Sequence, residues 1–289
     1  MRVFSVHSVA FLALALLSCT KGEQQLIRHE ISASAGDNAA VKSELSPGDA
    51  TKVYWSVGEH VNVFVGDVSY DFIGSNSVPA ASAKFTGSAP AALGTYVMLS
   101  PYNGSATNSG GTISTTLPYI QISRAGSFLA GTLVLAGQSN TSSVTCNHVC
   151  SGFRFKLSTE EDISQVRLRG LNGEKIAGNF TFSFSGANPV ASAGTQEEVV
   201  LTPSEGTYFA KDQWYYIAIL PTNFTNGICV TALSASRGAG TFTVSDNSKT
   251  NFLRARFKSK TGLDEDMTWP SSTGTVDPGT IEDLAFEDL

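Results

Sequence analysis

The chain has 289 residues, enough for two ordinary domains. Charged residues make up 15% of it, glycine occurs 27 times and Ser and Thr recur throughout, which suits many short strands and argues against a helical bundle. The formal charge of −6 is concentrated at the end, where residues 264–289 hold eight acids and no base. Between Lys21 and Leu263 acids and bases nearly balance, so no basic face for nucleic acid is visible.

The first segment, "MRVFSVHSVAFLALALLSC", carries Arg2, an apolar run through Leu17, then Ser18 and Cys19. A short apolar run behind a positive residue predicts a signal peptide over 1–18, since it is brief for a transmembrane helix. Leu16-Leu17-Ser18-Cys19 resembles a bacterial lipobox, which implies lipidation at Cys19 and a soluble body on a lipid tether. The competing reading is a signal with a chance cysteine, or an uncleaved anchor. No other run is long and apolar enough to span a bilayer.

Residues 20–52 are polar, with one alternating patch, "LIRHEISASA", expected as an edge strand followed by a loop, "GDNAAVKSELSPGDATK". Next, "KVYWSVGEHVNVFV" predicts a hairpin-like unit turning at Val57-Gly58-Glu59. Short strands are expected at "AKFTGSAP", "GTYVMLSPYN" and within "LPYIQISRAGSFLAGTLVLAG". The second half opens on "GFRFKLS" and continues through "QVRLRGL", "NFTFSFSG", "EEVVLTP", "WYYIAILP", "GICVTALS", "GTFTVS" and "FLRARFKS". Strand signals spaced by turn chemistry predict two tandem antiparallel β-sandwiches, 53–145 and 146–263, followed by an acidic tail, 264–289.

Three further cysteines are Cys146, Cys150 and Cys229. "TCNHVC" invites a metal reading, but on one continuous strand Cys146 and Cys150 share a face about 13 Å apart. That separation suits neither a shared ion nor a disulfide, so buried free thiols are the expectation, with a disulfide after a local turn as the alternative. Catalytic groups are equally sparse. His29, His60 and His148 stand in no Ser-His-Asp or HExxH pattern, no calcium-loop spacing occurs, and "RGAGTF" reads as a hairpin turn rather than a phosphate loop. The aromatic run Trp214-Tyr215-Tyr216 could offer a sugar platform, although alternation commits at least one of its faces to packing. The chain is therefore expected to be no enzyme, with no catalytic, cofactor-binding or metal-binding residue and no cofactor.

Taken in order, "YWSVGEHVNVFV", "AKFTGSAP", "YVMLSPYN", "LPYIQIS", "GFRFKLS", "QVRLRGLNGEKIAG", "VVLTP", "WYYIAILPTNFTNGICVTAL" and "RARF" resemble the fimbrillin (Mfa-like) family over roughly residues 25–262. These are subunits of type V pili of Gram-negative bacteria. The resemblance implies an all-β chain of two transthyretin-like sandwiches, exported as an outer-membrane lipoprotein and assembled at the cell surface into a fimbrium. It further implies that a first strand, here Leu26–Ser34 within the lipidated segment 19–52, is removed by a protease and replaced by a neighbour's C-terminal extension. The matching cleavage residue is Lys42, with Lys52 second, while a cut at Arg28 would leave most of the strand. Implied partners are other pilus subunits, the outer membrane through the lipid, and a surface receptor. In the tail, Leu284, Phe286 and Leu289 are spaced for pairing, whereas Pro270 and Pro278 deny ladder donors. The rival reading is a surface glycan-binding lipoprotein that does not polymerise.

Overall fold

The computed structural model describes residues 25–36, 44–46, 49–91, 94–160, 162–246 and 248–270. In chain order these form β1 (Leu26–Ala35), β2 (Glu44–Ser46), β3 (Asp49–Tyr54), β4 (His60–Val65), β5 (Val68–Gly74), β6 (Ser82–Pro90) and β7 (Tyr96–Ser100). Next come β8 (Thr107–Ser109), β9 (Thr112–Leu117), β10 (Ile120–Arg124), β11 (Ser127–Phe128), β12 (Leu135–Ser139) and β13 (Ser143–His148). The second half holds β14 (Ser151–Lys156), β15 (Ile163–Gly170), β16 (Gly178–Ser185), β17 (Asn188–Ala191), β18 (Glu198–Pro203) and β19 (Tyr215–Ile219). It ends with β20 (Thr222–Asn223), β21 (Ile228–Ser234), β22 (Gly238–Val244), β23 (Asn251–Phe252) and β24 (Phe257–Thr261). The chain is all-β, and no helix occurs among the described residues.

Period-two patterning explains most of these elements. In β16, Phe180 and Phe182 are buried while Asn179 and Ser183 on either side of them face water. One segment departs from its pattern. "FLRARFKS" alternates like a single strand, yet Ala255 adopts φ of 58° and splits it into β23 and β24. A left-handed alanine cannot continue a ladder, and its N–H bonds the Cys150 carbonyl instead (2.9 Å).

Seven strands close a barrel in the order β1-β13-β12-β7-β4-β5-β6. Its interior holds Ile31, Trp55, Val61, Val63, Phe72, Phe85, Met98 and Leu135. Most of the remaining strands form a six-stranded sheet (β11-β10-β18-β15-β21-β22), a four-stranded sheet (β17-β16-β9-β8) and a three-stranded sheet (β19-β14-β24) around a second, larger core. Pairing does not respect a single cut in the sequence. β9 pairs with β16, and β10 runs parallel to β18, so strands from the first half complete sheets of the second. The outer side chains of barrel strands, Phe64, Leu99 and Ala136, also belong to the larger core. The barrel therefore packs directly on its neighbour through apolar side chains.

The segment 264–270 is tied to the second core through Met267 and Trp269, while Glu265, Asp266 and Thr268 stay exposed. Asp264 is buried, accepting hydrogen bonds from the Ser158 and Thr159 amides at 2.8 and 2.9 Å. Thr268 bridges Thr241 of β22, and the Arg237 guanidinium lies over the Trp269 ring at 4.1 Å.

Candidate functional site: the seat of the first strand

The N-terminal strand is positioned by the longest ladder in the barrel. β1 runs antiparallel to β6 from Leu26 opposite Pro90 to Ser34 opposite Ser82. Its second half also runs parallel to β13, Ser32 to Ala35 facing Ser143 to Cys146. Outside that strict register, the Ser32 amide donates to Ser142 O (2.7 Å) and the Gly36 amide to Cys146 O (3.0 Å). A parallel contact beside an antiparallel one means β1 is inserted between two strands that do not otherwise meet. Its role is closure.

Side-chain burial along β1 is modest by comparison. Ile31 and Ala33 are fully buried in the barrel core, whereas Leu26 and Ile27 are 52% and 40% exposed. Around them lie weaker polar contacts: Lys84 Nζ to Glu30 (2.7 Å), His29 Nε2 with Pro90 O (2.9 Å) and Arg28 to Thr86 Oγ1 (3.5 Å). The first is a solvent-exposed pair, contributing about 0–1 kcal/mol. Most of what holds β1 is therefore main-chain pairing, which is indifferent to sequence, plus two small apolar plugs two residues apart.

Two glycines shape the seat. A Cβ on Gly87, opposite His29, would lie 2.4 Å from the Phe72 ring, so its absence lets that ring cross the β5–β6 ladder. At the exit, a Cβ on Gly36 would lie 2.3 Å from Thr145 Cγ2, so the chain can press against β13 only with glycine there.

If β1 left, β6 would keep only its short pairing with β5 (Phe72–Gly74), and β13 only two residues of β12. The result would be an open groove of unpaired N–H and C=O groups over an uncovered apolar floor. Such an edge is a template for an added strand.

The other sequence-singled residues distribute as follows. Cys19 and Lys42 lie outside the described residues, and Lys52 falls in β3. Cys146, Cys150 and Cys229 are free and buried. The continuous strand expected through Cys146, His148 and Cys150 breaks between β13 and β14, where the chain crosses from one core to the other. Cys146 points into the barrel and Cys150 into the larger core. Burial raises both thiol pKa values, Cys150 to about 12. Among the described residues no group of three or more His, Cys, Asp or Glu side chains could hold a metal ion. Gly238 closes a hairpin with Ser234 between β21 and β22. Tyr215 and Tyr216 are buried against Phe155, Phe209 and Phe128, and Trp214 lies beneath the Arg154 guanidinium at 4.4 Å. The three rings are committed to packing and form no open platform. What sequence reasoning missed is a polar trough on the β9–β16 pair, whose small hydroxyl residues lack any local signature.

The geometry defines an all-β chain with a barrel closed by its own first strand. No family model and no curated protein matches it. Solved structures with a similar fold include a candidate cell adhesion protein from Bacteroides ovatus, 14% identical, spanning 84% of this chain and 96% of that one at a TM-score of 0.47. A candidate cell adhesion protein from Bacteroides fragilis is 14% identical over 86% of this chain and 96% of its own, TM-score 0.41. A fimbrial protein from Bacteroides ovatus is 12% identical over 81% of this chain and 49% of its own, TM-score 0.37.

Proposed function

We propose that this chain is the lipid-anchored precursor of a structural or adhesive subunit of a cell-surface fimbria, assembled by proteolysis-triggered donor-strand exchange. The observation that carries the reading is β1, a strand that closes the barrel chiefly through backbone pairing and enters the rest of the chain through the segment containing Lys42. Lipidation at Cys19 would hold the precursor at the outer membrane. Cleavage after Lys42 would sever β1 from the body, leaving Ser43 as the new terminus just ahead of β2. A neighbour's tail would then supply the missing strand. Leu284 and Phe286 are spaced two apart, as Ile31 and Ala33 are, so both could plug the same floor. Because donor and acceptor are different surfaces, the contact is heterologous and repeats without closing.

Limited trypsin treatment of the purified soluble body, followed by N-terminal sequencing and sizing, tests this. A new terminus at Ser43 with SDS-resistant ladders is the expected result. A cut elsewhere with a product that stays monomeric would sink strand exchange by this subunit and favour a non-polymerising lipoprotein.

A further inference from the structure

A trough of about 460 Å³ runs along the β9–β16 pair, walled by the returning segment 192–195 and ended by Asn103 and Ser105. Its size is that of a small-ligand site. Its chemistry is unusual for one. No ionisable side chain lines it, and nine of its twelve lining residues are Ser, Thr or Asn. Of the remainder, Phe180 is buried in the larger core, leaving Ala193 and Gly194 as a short apolar edge.

The polar groups are held in place by their neighbours. Thr116 Oγ1 donates to Asn179 Oδ1 (2.7 Å), and Thr195 Oγ1 accepts from the Asn179 amide (3.0 Å). Thr181 and Ser192 are joined twice, through the Thr181 amide (3.0 Å) and hydroxyl (3.2 Å). These bonds leave hydrogen-bonding capacity unspent. Asn179 keeps both Nδ2 hydrogens, Thr195 keeps its hydroxyl proton, and Ser105 and Ser114 keep whole hydroxyls, none with a protein partner among the described residues.

An anionic or cationic ligand would be desolvated here without a counter-charge, and an apolar one would strand the hydroxyls and amide. What fits is an uncharged molecule carrying donors and acceptors in similar number, with a C–H face for the Ala193–Gly194 edge. We propose that the trough binds a neutral saccharide, a short oligosaccharide rather than a single sugar. None of its lining residues belongs to β1, β6 or β13, so the site does not depend on strand exchange.

The test is titration of the full chain with neutral hexose and N-acetylhexosamine trisaccharides, and with sialylated and sulfated counterparts, followed by calorimetry and saturation-transfer NMR. At least one neutral trisaccharide should saturate, the charged ones should not, and Asn179→Ala and Thr195→Val should each weaken binding about fivefold to tenfold. Thermal midpoints of both variants should match the parent, separating loss of the site from loss of the fold. A variant that fails to fold is replaced by Ser114→Ala, which should weaken binding without loss of structure. Three outcomes would overturn the proposal: no neutral probe binding, a preference for charged probes, or binding that survives these variants but is lost in Trp214→Ala. Cleavage at Lys42 should leave affinity unchanged, so this site and the fimbrial reading fail independently.

Discussion

Gln121 is 2% exposed on β10, yet its side chain behaves like a piece of strand. Its side-chain carbonyl oxygen, Oε1, accepts from the Ala218 amide at 2.9 Å, and its Nε2 donates to Ala218 O at 2.8 Å and Pro118 O at 2.9 Å. One amide thus satisfies both main-chain groups of a residue on β19, tying two sheets together. Gln121→Ala should cost about 2–4 kcal/mol, read as a shift in urea midpoint, because it leaves those groups buried and unpaired beside a cavity. Asp264 makes a similar staple with a pH signature. Burial pushes its pKa up, but hydrogen bonds from the Thr159 hydroxyl and the Ser158 and Thr159 amides outweigh this, and the net shift is down. A depressed carboxylate contributes stability above its unfolded pKa, about 3.9, and loses it as pH falls through the folded value. Asp264→Ala should therefore cost about 2–3 kcal/mol at pH 7 and less in acid, a convergence seen by comparing both proteins' melts from pH 7 to pH 2. Neither residue was legible in the sequence, where Gln121 is one polar position in an alternating run and Asp264 opens an acidic tail. Their roles depend on partners about 100 positions away.

At the scale of the element, the alternating patch at residues 26–35 was readable as a strand, because Ile31 and Ala33 recur at period two. Its insertion between β6 and β13 was not, since main-chain pairing leaves no pattern in side chains. The break at Val149–Cys150 was hidden for a related reason: the crossing residues are buried on all sides, so no alternation marks where a strand stops. Buried and exposed apolar positions on β1 should carry unequal loads. Ile31→Asp places an unpaired charge in the barrel core and should destabilise by about 3 kcal/mol or more, while Leu26→Asp, at a half-exposed position, should stay within about 0.5 kcal/mol. If β1 is exchangeable, Ile31→Asp should also raise accessibility of the edge, seen as faster amide exchange on Ser82–Pro90. Equal effects from both variants would show that side-chain plugging does not secure the strand.

The whole molecule is a set of sheets that trade strands across the sequence. β9 and β10 come from the first half but pair with β16 and β18, and Phe64 and Leu99 project from the barrel into the larger core. The sequence showed where strands lie, since local patterning needs only neighbours. It could not show this exchange, because equivalent alternating strands carry no label for their partner. The pairing has a measurable consequence. A fragment of residues 146–270 would lack β9 and β10, leaving β16 unpaired on one side and β18 without its parallel neighbour, while Phe180 and Phe182 would lose the Thr115 and Ile113 backbone beside them. That fragment should aggregate or show no cooperative melt, whereas a fragment restoring residues 101–135 in trans should recover one. The full chain should unfold in a single transition, because a shared apolar core couples the barrel to its neighbour. An independently cooperative 146–270 fragment would mean the exchanged strands decorate a body that is already complete. The loss of cooperativity expected instead would mean that β9 and β10 are integral to the second core.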